Sequence, residues 1–206
     1  MSVSDSLFIV LDGIDGCGKS TQAARLVRAL ASESAAPPLH LREPGGTAVG
    51  ERLRELLLSR EHALSSEVEV LLFAAARRQL LDEQVVPALR ERRHVVCERF
   101  HASTFAYQAV AGGLDETRVL ELLWTWAGEP RPDLVVVIDI APDLAALRRA
   151  HARDRIEDKG LEFQRRVAEG FRRYAALAPA TAIVDGSRSP DEVEQAILAE
   201  VRRARG

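Results

Sequence analysis

The chain has 206 residues, 47% of them hydrophobic, so it is long enough to bury a substantial core of its own. Its 28 Lys and Arg residues nearly balance 31 Asp and Glu residues, and the formal net charge of −3 excludes a global basic surface for nucleic acid or an anionic membrane. Two cysteines are too few for a disulfide framework, the first residues lack the features of a secretory signal, and no apolar run approaches the roughly 18 residues of a membrane span. We therefore expect a soluble, cytoplasmic protein with no nucleic-acid or membrane partner.

Short apolar runs alternate along the chain with longer segments of helical period, and this alternation is typical of a parallel sheet with helices on both faces. The runs that predict buried strands are residues 7–11, 39–41, 95–97, 134–140 and 182–184. The segments with helical spacing are residues 20–31, 49–58, 67–90, 103–111, 116–126, 144–151, 161–177 and 191–203. Since no repeat, low-complexity tract or change in composition divides the chain, we expect a single α/β domain over residues 1–206.

A glycine-rich segment follows the first predicted strand directly. Its residues, which match the pattern GxxxxGK[ST], are Gly13, Ile14, Asp15, Gly16, Cys17, Gly18, Lys19, Ser20 and Thr21. Glycines let successive backbone N–H groups surround a phosphate, Lys19 reaches the outer phosphates of a nucleotide, and Ser20 is placed to hold Mg²⁺. A chance glycine turn is the alternative, but the strand before the motif and the helix after it favour a P-loop that binds nucleotide phosphates.

A P-loop by itself does not separate kinases from GTPases and motor ATPases. A guanine-selective GTPase needs an Asn-Lys-x-Asp segment late in the chain, whereas the only lysine after Lys19 is Lys159, which lies in the sequence EDKG. The chain is also too short for a P-loop core with a large mechanical insert. Both observations disfavour those two classes.

Four further segments follow the P-loop. They are residues 41–47 (LREPGGT), 71–78 (LLFAAARR), 98–108 (ERFHASTFAYQ) and 154–157 (DRIE). In order and spacing, the P-loop and these segments closely resemble the thymidylate kinases, over about residues 8–174. The resemblance implies transfer of the γ-phosphate of ATP to dTMP, with Mg²⁺ as cofactor. It also implies a P-loop kinase fold with a five-stranded parallel sheet in the order 2-3-1-4-5.

Two arginines that follow apolar strands are candidates to bind the phosphate of the acceptor. Arg42 and Arg99 lie at the carboxyl edge of the predicted sheet, where ligands bind in open α/β folds, and two planar guanidinium groups clamp a monophosphate well. Without the family match, either one could be a solvated surface arginine. The resemblance implies that both bind phosphate and that Pro44, after a cis bond, lies in a turn close to the ligand. Arg54 would be a further nucleotide contact, with an exposed helix position as its alternative.

The resemblance assigns the base and the sugar of the acceptor to two helices. Phe73 and Arg77 are four residues apart and share a helix face. The apolar run around Phe73 by itself favours a core position, whereas the resemblance implies that Phe73 stacks on thymine and Arg77 hydrogen-bonds a ring carbonyl. It also implies that Thr104 and Gln108 approach the polar edge of the base, and that Tyr107 packs under the sugar and disfavours a 2′-hydroxyl. Such a site selects strongly, because a wrong base leaves buried polar groups unpaired.

Asp15 and Glu98 are the carboxylates expected at the reaction centre. Asp15 resembles the acidic residue that faces the 3′-hydroxyl of the acceptor, with a capping role in the loop or helix as the alternative. Glu98 follows the strand 95–97, where a carboxylate can hold Mg²⁺ through water, together with Ser20. The resemblance thus implies that Asp15, Lys19 and Arg99 take part in catalysis and that Ser20 and Glu98 bind the metal.

The chain departs from the usual family pattern around Arg99. Glu98 and Phe100 stand where the family usually has aspartate and tyrosine, and Ala102 stands where bacterial members commonly have aspartate. These departures keep open a related nucleoside or nucleotide kinase with a different acceptor. A P-loop regulator that binds nucleotide without catalysis is the alternative from another class, and an intact Lys19 disfavours it.

An arginine-bearing segment at about residues 149–160 resembles the lid of the bacterial members. Closure of such a lid over ATP would supply the positive charge that the variable positions of the P-loop lack. We expect Arg153 to be the transition-state cation, with Arg155 as the second candidate for that role, and Arg149 to lie against adenine. Solvated helix faces are the alternative for all three, because only two of the 28 Lys and Arg residues of this chain are lysines.

The helix predicted over residues 67–90 carries many apolar side chains that we expect to be exposed. In relatives, such helices pair two subunits. The resemblance therefore implies a homodimer.

Overall fold

The structure, a computed structural model, describes residues 6–34, 36–148 and 160–205. It contains one five-stranded parallel sheet with the order β2-β3-β1-β4-β5, as predicted. The strands are β1 (Phe8–Asp12), β2 (Leu39–Arg42), β3 (Val95–Glu98), β4 (Leu134–Asp139) and β5 (Thr181–Asp185). Strands β1 and β3 are buried along their whole length, which explains why they read as continuous apolar runs rather than as alternating patterns.

Helices lie against this sheet in two groups. The α-helices are α1 (Lys19–Ala31), α2 (Ala48–Leu58), α3 (Ser66–Leu80), α4 (Val86–Arg90), α5 (His101–Thr104), α6 (Glu116–Trp126), α7 (Pro142–Arg148), α8 (Gly160–Leu177) and α9 (Pro190–Arg205). Helices α1 and α9 pack on each other and on the sheet, and α8 packs on the sheet and on the segment that follows α5. The predicted boundaries are confirmed to within a few residues, apart from the end of the segment 144–151, which lies outside the described residues.

Two segments predicted as ordinary α-helix are π-helical. Leu81–Val85 interrupts the helix predicted over residues 67–90, and Phe105–Val110 replaces most of the helix predicted over residues 103–111. The second segment leads into a bond from the Ala111 N–H to the Ala106 carbonyl at 3.0 Å, five residues back. Such π segments occur preferentially at functional sites, and this one contains Tyr107 and Gln108.

Side chains at the helix starts explain where two of the site-forming helices begin. Thr47 accepts a hydrogen bond from the Gly50 N–H at the start of α2, and Ser65 accepts one from the Val68 N–H at the start of α3. These caps follow the turn that contains the cis Glu43–Pro44 bond, which was expected at this position. Along the part of the chain that the structure describes, no helix combines the length and the apolar character needed to cross a bilayer.

Candidate active site

The carboxyl ends of β1, β2 and β3 bring the predicted site residues to one edge of the sheet. Leu11 of β1 and Arg42 of β2 both pair in register with Glu98 of β3, so the segments that follow these strands start side by side. This is the edge at which open α/β sheets bind ligands.

The P-loop after β1 is closed around the Lys19 ammonium group. Lys19 Nζ lies 3.4 Å and 3.3 Å from the carbonyl oxygens of Gly13 and Ile14 and donates to Asp15 Oδ1 at 3.1 Å. Gly13 has a φ of +140°, and a Cβ there would lie 2.6 Å from the Ile138 carbonyl oxygen of the neighbouring strand. Only glycine therefore fits at this position, where the loop crosses the sheet edge.

The loop lines an open cleft, called the P-loop pocket here, with about 1380 Å³ of space including the part open to solvent. The predicted nucleotide-binding residues that line it are Asp15, Gly16, Cys17, Gly18, Lys19, Ser20 and Thr21. Gly13 contributes its carbonyl group to Lys19 instead. The Cys17 side chain is buried, and burial raises the pKa of its thiol. The pocket is therefore lined by the backbone and cation that the motif predicts.

A second pocket, the Phe73 pocket, contains all ten residues predicted to contact an acceptor. It has about 610 Å³ of space, including the part that is open to solvent. The ten residues are Asp15, Arg42, Pro44, Arg54, Phe73, Arg77, Arg99, Thr104, Tyr107 and Gln108. Asp15, Arg42 and Arg99 line both pockets, so the two pockets meet where these three side chains lie.

Asp15 is surrounded by hydrogen-bond donors. Besides Lys19, Arg99 Nη2 donates to its Oδ1, and the Tyr107 hydroxyl donates to its Oδ2 at 3.2 Å. Burial by itself would raise the pKa of Asp15, but the nearby Arg99 and Lys19 charges lower it well below its usual range. Asp15 is therefore an ionised carboxylate at the junction of the two pockets. The Arg99 guanidinium also lies 5.5 Å from the centre of the Tyr107 ring.

A buried aspartate that was not predicted, Asp12, holds the loop that carries Arg99. One Asp12 oxygen accepts from the N–H groups of Phe100 and Ser103 at 3.1 Å and 3.0 Å, and the other accepts from the Gly13 N–H at 2.9 Å and the Ser103 hydroxyl at 2.7 Å. Burial raises the pKa of Asp12 against the lowering effect of Arg99. The only available signal was a polar residue at the end of a buried strand. Through Asp12, the P-loop and the Arg99 loop form one unit.

Arg99 itself adopts a left-handed backbone conformation, with a φ of +68°. A non-glycine residue pays for this conformation in strain, and such strain collects at functional sites. Its side chain is fixed by Ser103, to whose hydroxyl Arg99 Nη1 donates at 3.0 Å. The strained backbone thus aims Arg99 at Asp15 and at the junction of the pockets.

Ser20 and Glu98, the two predicted metal ligands, are in contact. The Ser20 hydroxyl donates to Glu98 Oε2, and His40 Nε2 of the edge strand β2 lies 3.0 Å from Glu98 Oε1. Among the described residues, no cluster of three or more His, Cys, Asp and Glu side chains is arranged to hold a metal by itself. One carboxylate and one hydroxyl are nevertheless suitable for Mg²⁺, which usually keeps several waters and shares its ligands with nucleotide phosphates. His40 was not predicted in this cluster.

Arg77 is the largest fully buried side chain of the Phe73 pocket. It forms an ion pair with Glu43 at 2.6 Å, its Nε donates to Glu43 Oε2 at 3.0 Å, and its Nη2 donates to Thr104 Oγ1 at 3.0 Å. The guanidinium carbon also lies 4.9 Å from the centre of the Phe100 ring. Burial raises the pKa of Glu43 to about 7, although the Arg77 charge opposes this change. Glu43 was missed because a charged residue between a strand and a turn reads as solvated.

Arg54, Phe73 and Gln108, which also line the Phe73 pocket, each contact a different part of the protein. Arg54 Nη1 donates to the Pro44 carbonyl oxygen at 2.9 Å, which ties α2 to the turn after β2. Phe73 is half-buried: it packs on the core, as its apolar run predicts, and it also lines the pocket, where its stacking on thymine stays a prediction. Gln108 Nε2 donates to Glu69 Oε2 of α3 at 2.9 Å. Glu69 is a further buried residue that sequence reasoning missed.

The predicted lid arginines Arg149, Arg153 and Arg155 lie outside the described residues. Of the residues that precede them, Arg148 lines the P-loop pocket and donates from Nη1 to the Gly186 carbonyl oxygen at 2.8 Å. Arg188 lines the same pocket from the segment after β5. Neither Arg148 nor Arg188 was predicted, because nothing in an arginine-rich sequence distinguishes them.

Comparison with known proteins decides the family. A family model described as thymidylate kinase matches residues 11–197. The chain belongs to the thymidylate kinase family. It is 44% identical to the thymidylate kinase of Synechococcus sp. (strain JA-2-3B'a(2-13)) over 91% of this chain and 90% of that protein. It is 42% identical to the thymidylate kinase of Neisseria gonorrhoeae (strain NCCP11945) over 92% of this chain and 93% of the relative.

The similarity extends to three-dimensional structure. The crystal structure of thymidylate kinase from Ehrlichia chaffeensis superposes with a TM-score of 0.79 at 30% identity, covering 96% of this chain and 98% of that one. The region matched by the thymidylate kinase model contains Asp12, the whole P-loop and every residue that lines the Phe73 pocket.

Proposed function

We propose that this thymidylate kinase family member transfers the γ-phosphoryl group of ATP to dTMP and forms ADP and dTDP. The observation that carries the proposal is the meeting of two pockets at Asp15, Arg42 and Arg99. One pocket contains a P-loop, and the other contains an aromatic ring and a buried guanidinium group. Two nucleotides that enter from opposite sides would place their phosphates at this junction.

ATP fits the P-loop pocket. The backbone N–H groups of the loop and the N-terminus of α1 would bind its phosphates, and Lys19, which now rests on loop carbonyls and Asp15, would turn to the outer phosphates. Ser20 and Glu98 would hold Mg²⁺, which supplies positive charge to the phosphate oxygens. Arg148 and Arg188 line the same pocket, and the adenosine would lie beside them. Arg149 would lie against adenine from the segment outside the described residues.

dTMP fits the Phe73 pocket. Phe73 would stack on thymine, Arg77 would donate to a carbonyl oxygen of the ring, and Thr104 and Gln108 would face the same edge. Tyr107 would pack under the deoxyribose. These side chains bury the base on one side of the pocket, so the phosphate would point toward the junction.

At that junction, the acceptor phosphate would be bound by Arg42 and Arg99, with Arg54 and Pro44 closing the pocket beside it. Two forked guanidinium groups suit a phosphate dianion because each can donate two parallel hydrogen bonds.

Phosphoryl transfer requires positioning and positive charge more than covalent chemistry. We propose direct in-line transfer without an enzyme-bound intermediate. Lys19 and Arg99 would stabilise the charge that develops, and ionised Asp15 would orient the 3′-hydroxyl of the acceptor. Arg153, or Arg155 as the second candidate, would add charge from the lid; both residues lie outside the described part of the chain.

Neither alternative function gains support. Phe100, one of the departures from the family pattern, packs edge-on against Phe8 with 5.4 Å between ring centres and lies under Arg77. Phe100 therefore packs in the core at the wall of the Phe73 pocket, where Arg77 keeps its contacts with Glu43 and Thr104. A regulator without catalysis would not need Lys19 and Arg99 converging on one carboxylate.

We also propose that two copies of the chain form a homodimer through α3 and α6. Leu71 of α3 and Trp126 of α6 are 57% and 73% exposed on helices that pack against each other. Large exposed apolar side chains on two helices in contact are candidates for an interaction surface. Sedimentation velocity should find a dimer that Leu71→Glu dissociates, whereas the control Leu177→Glu, at an exposed position of α8, should leave it intact.

A coupled assay of ADP release, run across a panel of nucleoside monophosphates, tests the enzymatic proposal. We expect dTMP to be preferred to dCMP, dAMP and dGMP by orders of magnitude. For dUMP, which lacks only a methyl group, kcat/KM should fall by roughly 10- to 200-fold. Equal use of purine and pyrimidine monophosphates would reject dTMP as the acceptor.

A further inference from the structure

Gln108 and Glu69 form a buried pair at the Phe73 pocket. Each is about 1% exposed, and Gln108 Nε2 donates to Glu69 Oε2 at 2.9 Å. Gln108 lines the pocket, whereas Glu69 lies behind it on α3. Glu69 can therefore act on a ligand in the pocket through Gln108.

The pair determines which way the Gln108 amide faces. Glu69 Oε2 is the acceptor in this hydrogen bond, so the amide turns its NH₂ group toward Glu69. Its carbonyl oxygen, Oε1, is then the atom available to the pocket. An amide without such a partner can rotate and exchange its donor for its acceptor at little cost. Glu69 thus makes Gln108 an acceptor toward the ligand.

Arg77, which lines the same pocket as Gln108, is a hydrogen-bond donor of equally fixed character. Arg77 can only donate hydrogen bonds; its Nε and Nη2 bind Glu43 and Thr104, and Nη1 is buried without a hydrogen-bond partner in the described part of the chain. The Thr104 hydroxyl can rotate to donate or accept, so it does not discriminate. Arg77 and Gln108 thus supply one fixed donor and one fixed acceptor to the residues predicted to face the base.

We infer that Glu69 is a positioning residue that sets the base choice of this pocket by holding the Gln108 carbonyl oxygen toward the base. The resulting pattern pairs with a carbonyl oxygen beside a ring N–H, as thymine and uracil present. It opposes cytosine, which presents an amino group beside an unprotonated ring nitrogen, so that donor would face donor and acceptor would face acceptor. The inference rests on the proposed function in one respect, namely that a pyrimidine monophosphate binds here.

The test compares dTMP with dCMP, because the two bases are of similar size and differ mainly in this pattern. In Glu69→Gln, the new amide can donate as well as accept, so the Gln108 amide is free to rotate. We expect the ratio of kcat/KM for dTMP to that for dCMP to fall about tenfold or more, the scale of one mispaired buried polar group. A merely structural role would lower both values together and leave the ratio unchanged.

Two further variants sharpen the test. Glu67→Gln makes the same chemical change at an exposed position of the same helix and should keep the wild-type ratio. The double variant Glu69→Gln with Gln108→Glu exchanges the two side chains. The amide at position 69 then donates to the carboxylate at position 108, whose other oxygen is left to accept a hydrogen bond from the base. This double variant should recover most of the ratio lost in Glu69→Gln, and it should fold even if the single variant does not.

The results of these comparisons separate failure of the inference from failure of the proposed function. A wild type that does not prefer dTMP to dCMP rejects the proposed function, and the inference with it. A wild type that prefers dTMP while Glu69→Gln keeps the same ratio rejects the inference alone. If the single variant does not fold, the double variant decides, since a folded double variant that does not discriminate contradicts the inference. If neither variant folds, Glu69 acts through stability and the inference is wrong.

Discussion

The buried ion pair between Arg77 and Glu43 offers the strongest test of how the Phe73 pocket is built. Both side chains are almost fully buried, at 1% and 2% exposure, and three nitrogen–oxygen contacts of 3.0 Å or less join Arg77 to Glu43 and Thr104. Arg77→Met keeps much of the side-chain volume and removes the charge. The Glu43 carboxylate then remains buried without its counterion.

Breaking a buried pair from one side typically costs about 3–5 kcal/mol, because the remaining charge is uncompensated. For a chain of this size, that loss lowers Tm by roughly 6–20 °C. Removing both partners costs much less, because two neutral side chains leave no buried charge. The double variant Arg77→Met with Glu43→Gln should therefore be more stable than Arg77→Met alone.

The stability lost in Arg77→Met should also depend on pH. Burial raises the pKa of Glu43 from its ordinary 4.5 to about 7, so the folded protein binds this proton more tightly than the unfolded chain does. The stability that this group contributes is full below about pH 4.5 and is lost as the pH rises through 7. Removing Arg77 raises the folded pKa further, because the Arg77 charge favours the ionised form. The difference in Tm between Arg77→Met and wild type should therefore be larger at pH 8 than at pH 5.5.

Thermal unfolding followed by circular dichroism, without nucleotide, at both pH values, measures these differences. An Arg77→Met protein as stable as wild type at pH 8 would refute the argument. So would a double variant that is no more stable than Arg77→Met, because the penalty would then not come from the Glu43 charge.

Three further predictions concern catalysis. Lys19→Ala should lower kcat by about 100-fold or more, because the transferred phosphoryl group loses its contact with the Lys19 charge. The circular dichroism spectrum should stay unchanged. Turnover within about tenfold of wild type would mean that the phosphate donor binds elsewhere. Arg99→Ala should raise KM for all nucleoside monophosphates together, and a change confined to base discrimination would contradict its phosphate role. Arg153→Ala should lower kcat more than it raises KM for dTMP; if only Arg155→Ala is damaging, the assignment within the lid is wrong.

The sequence by itself determined the elements and their chemistry. The strands β1, β3 and β4 are buried on both faces, and burial on both faces requires continuous apolar runs that are visible without a structure. The P-loop is equally local, because its function depends on glycines and a lysine at fixed spacing in one segment. The resemblance to thymidylate kinases, carried by segments in a fixed order, predicted the strand order, which the structure confirms.

Only the tertiary structure decided how the side chains of the site are held. The Asp12 contacts with Ser103, the Glu43 contact with Arg77 and the Glu69 contact with Gln108 join residues that are 91, 34 and 39 positions apart. Each of these acidic residues reads in the sequence as solvated, because no local pattern shows that packing brings a matching donor to it. The same holds for the π-helical segment Phe105–Val110, whose residue types also suit an α-helix. Long-range packing fixes such pairs, and a local sequence pattern contains no information about which distant residue will lie opposite.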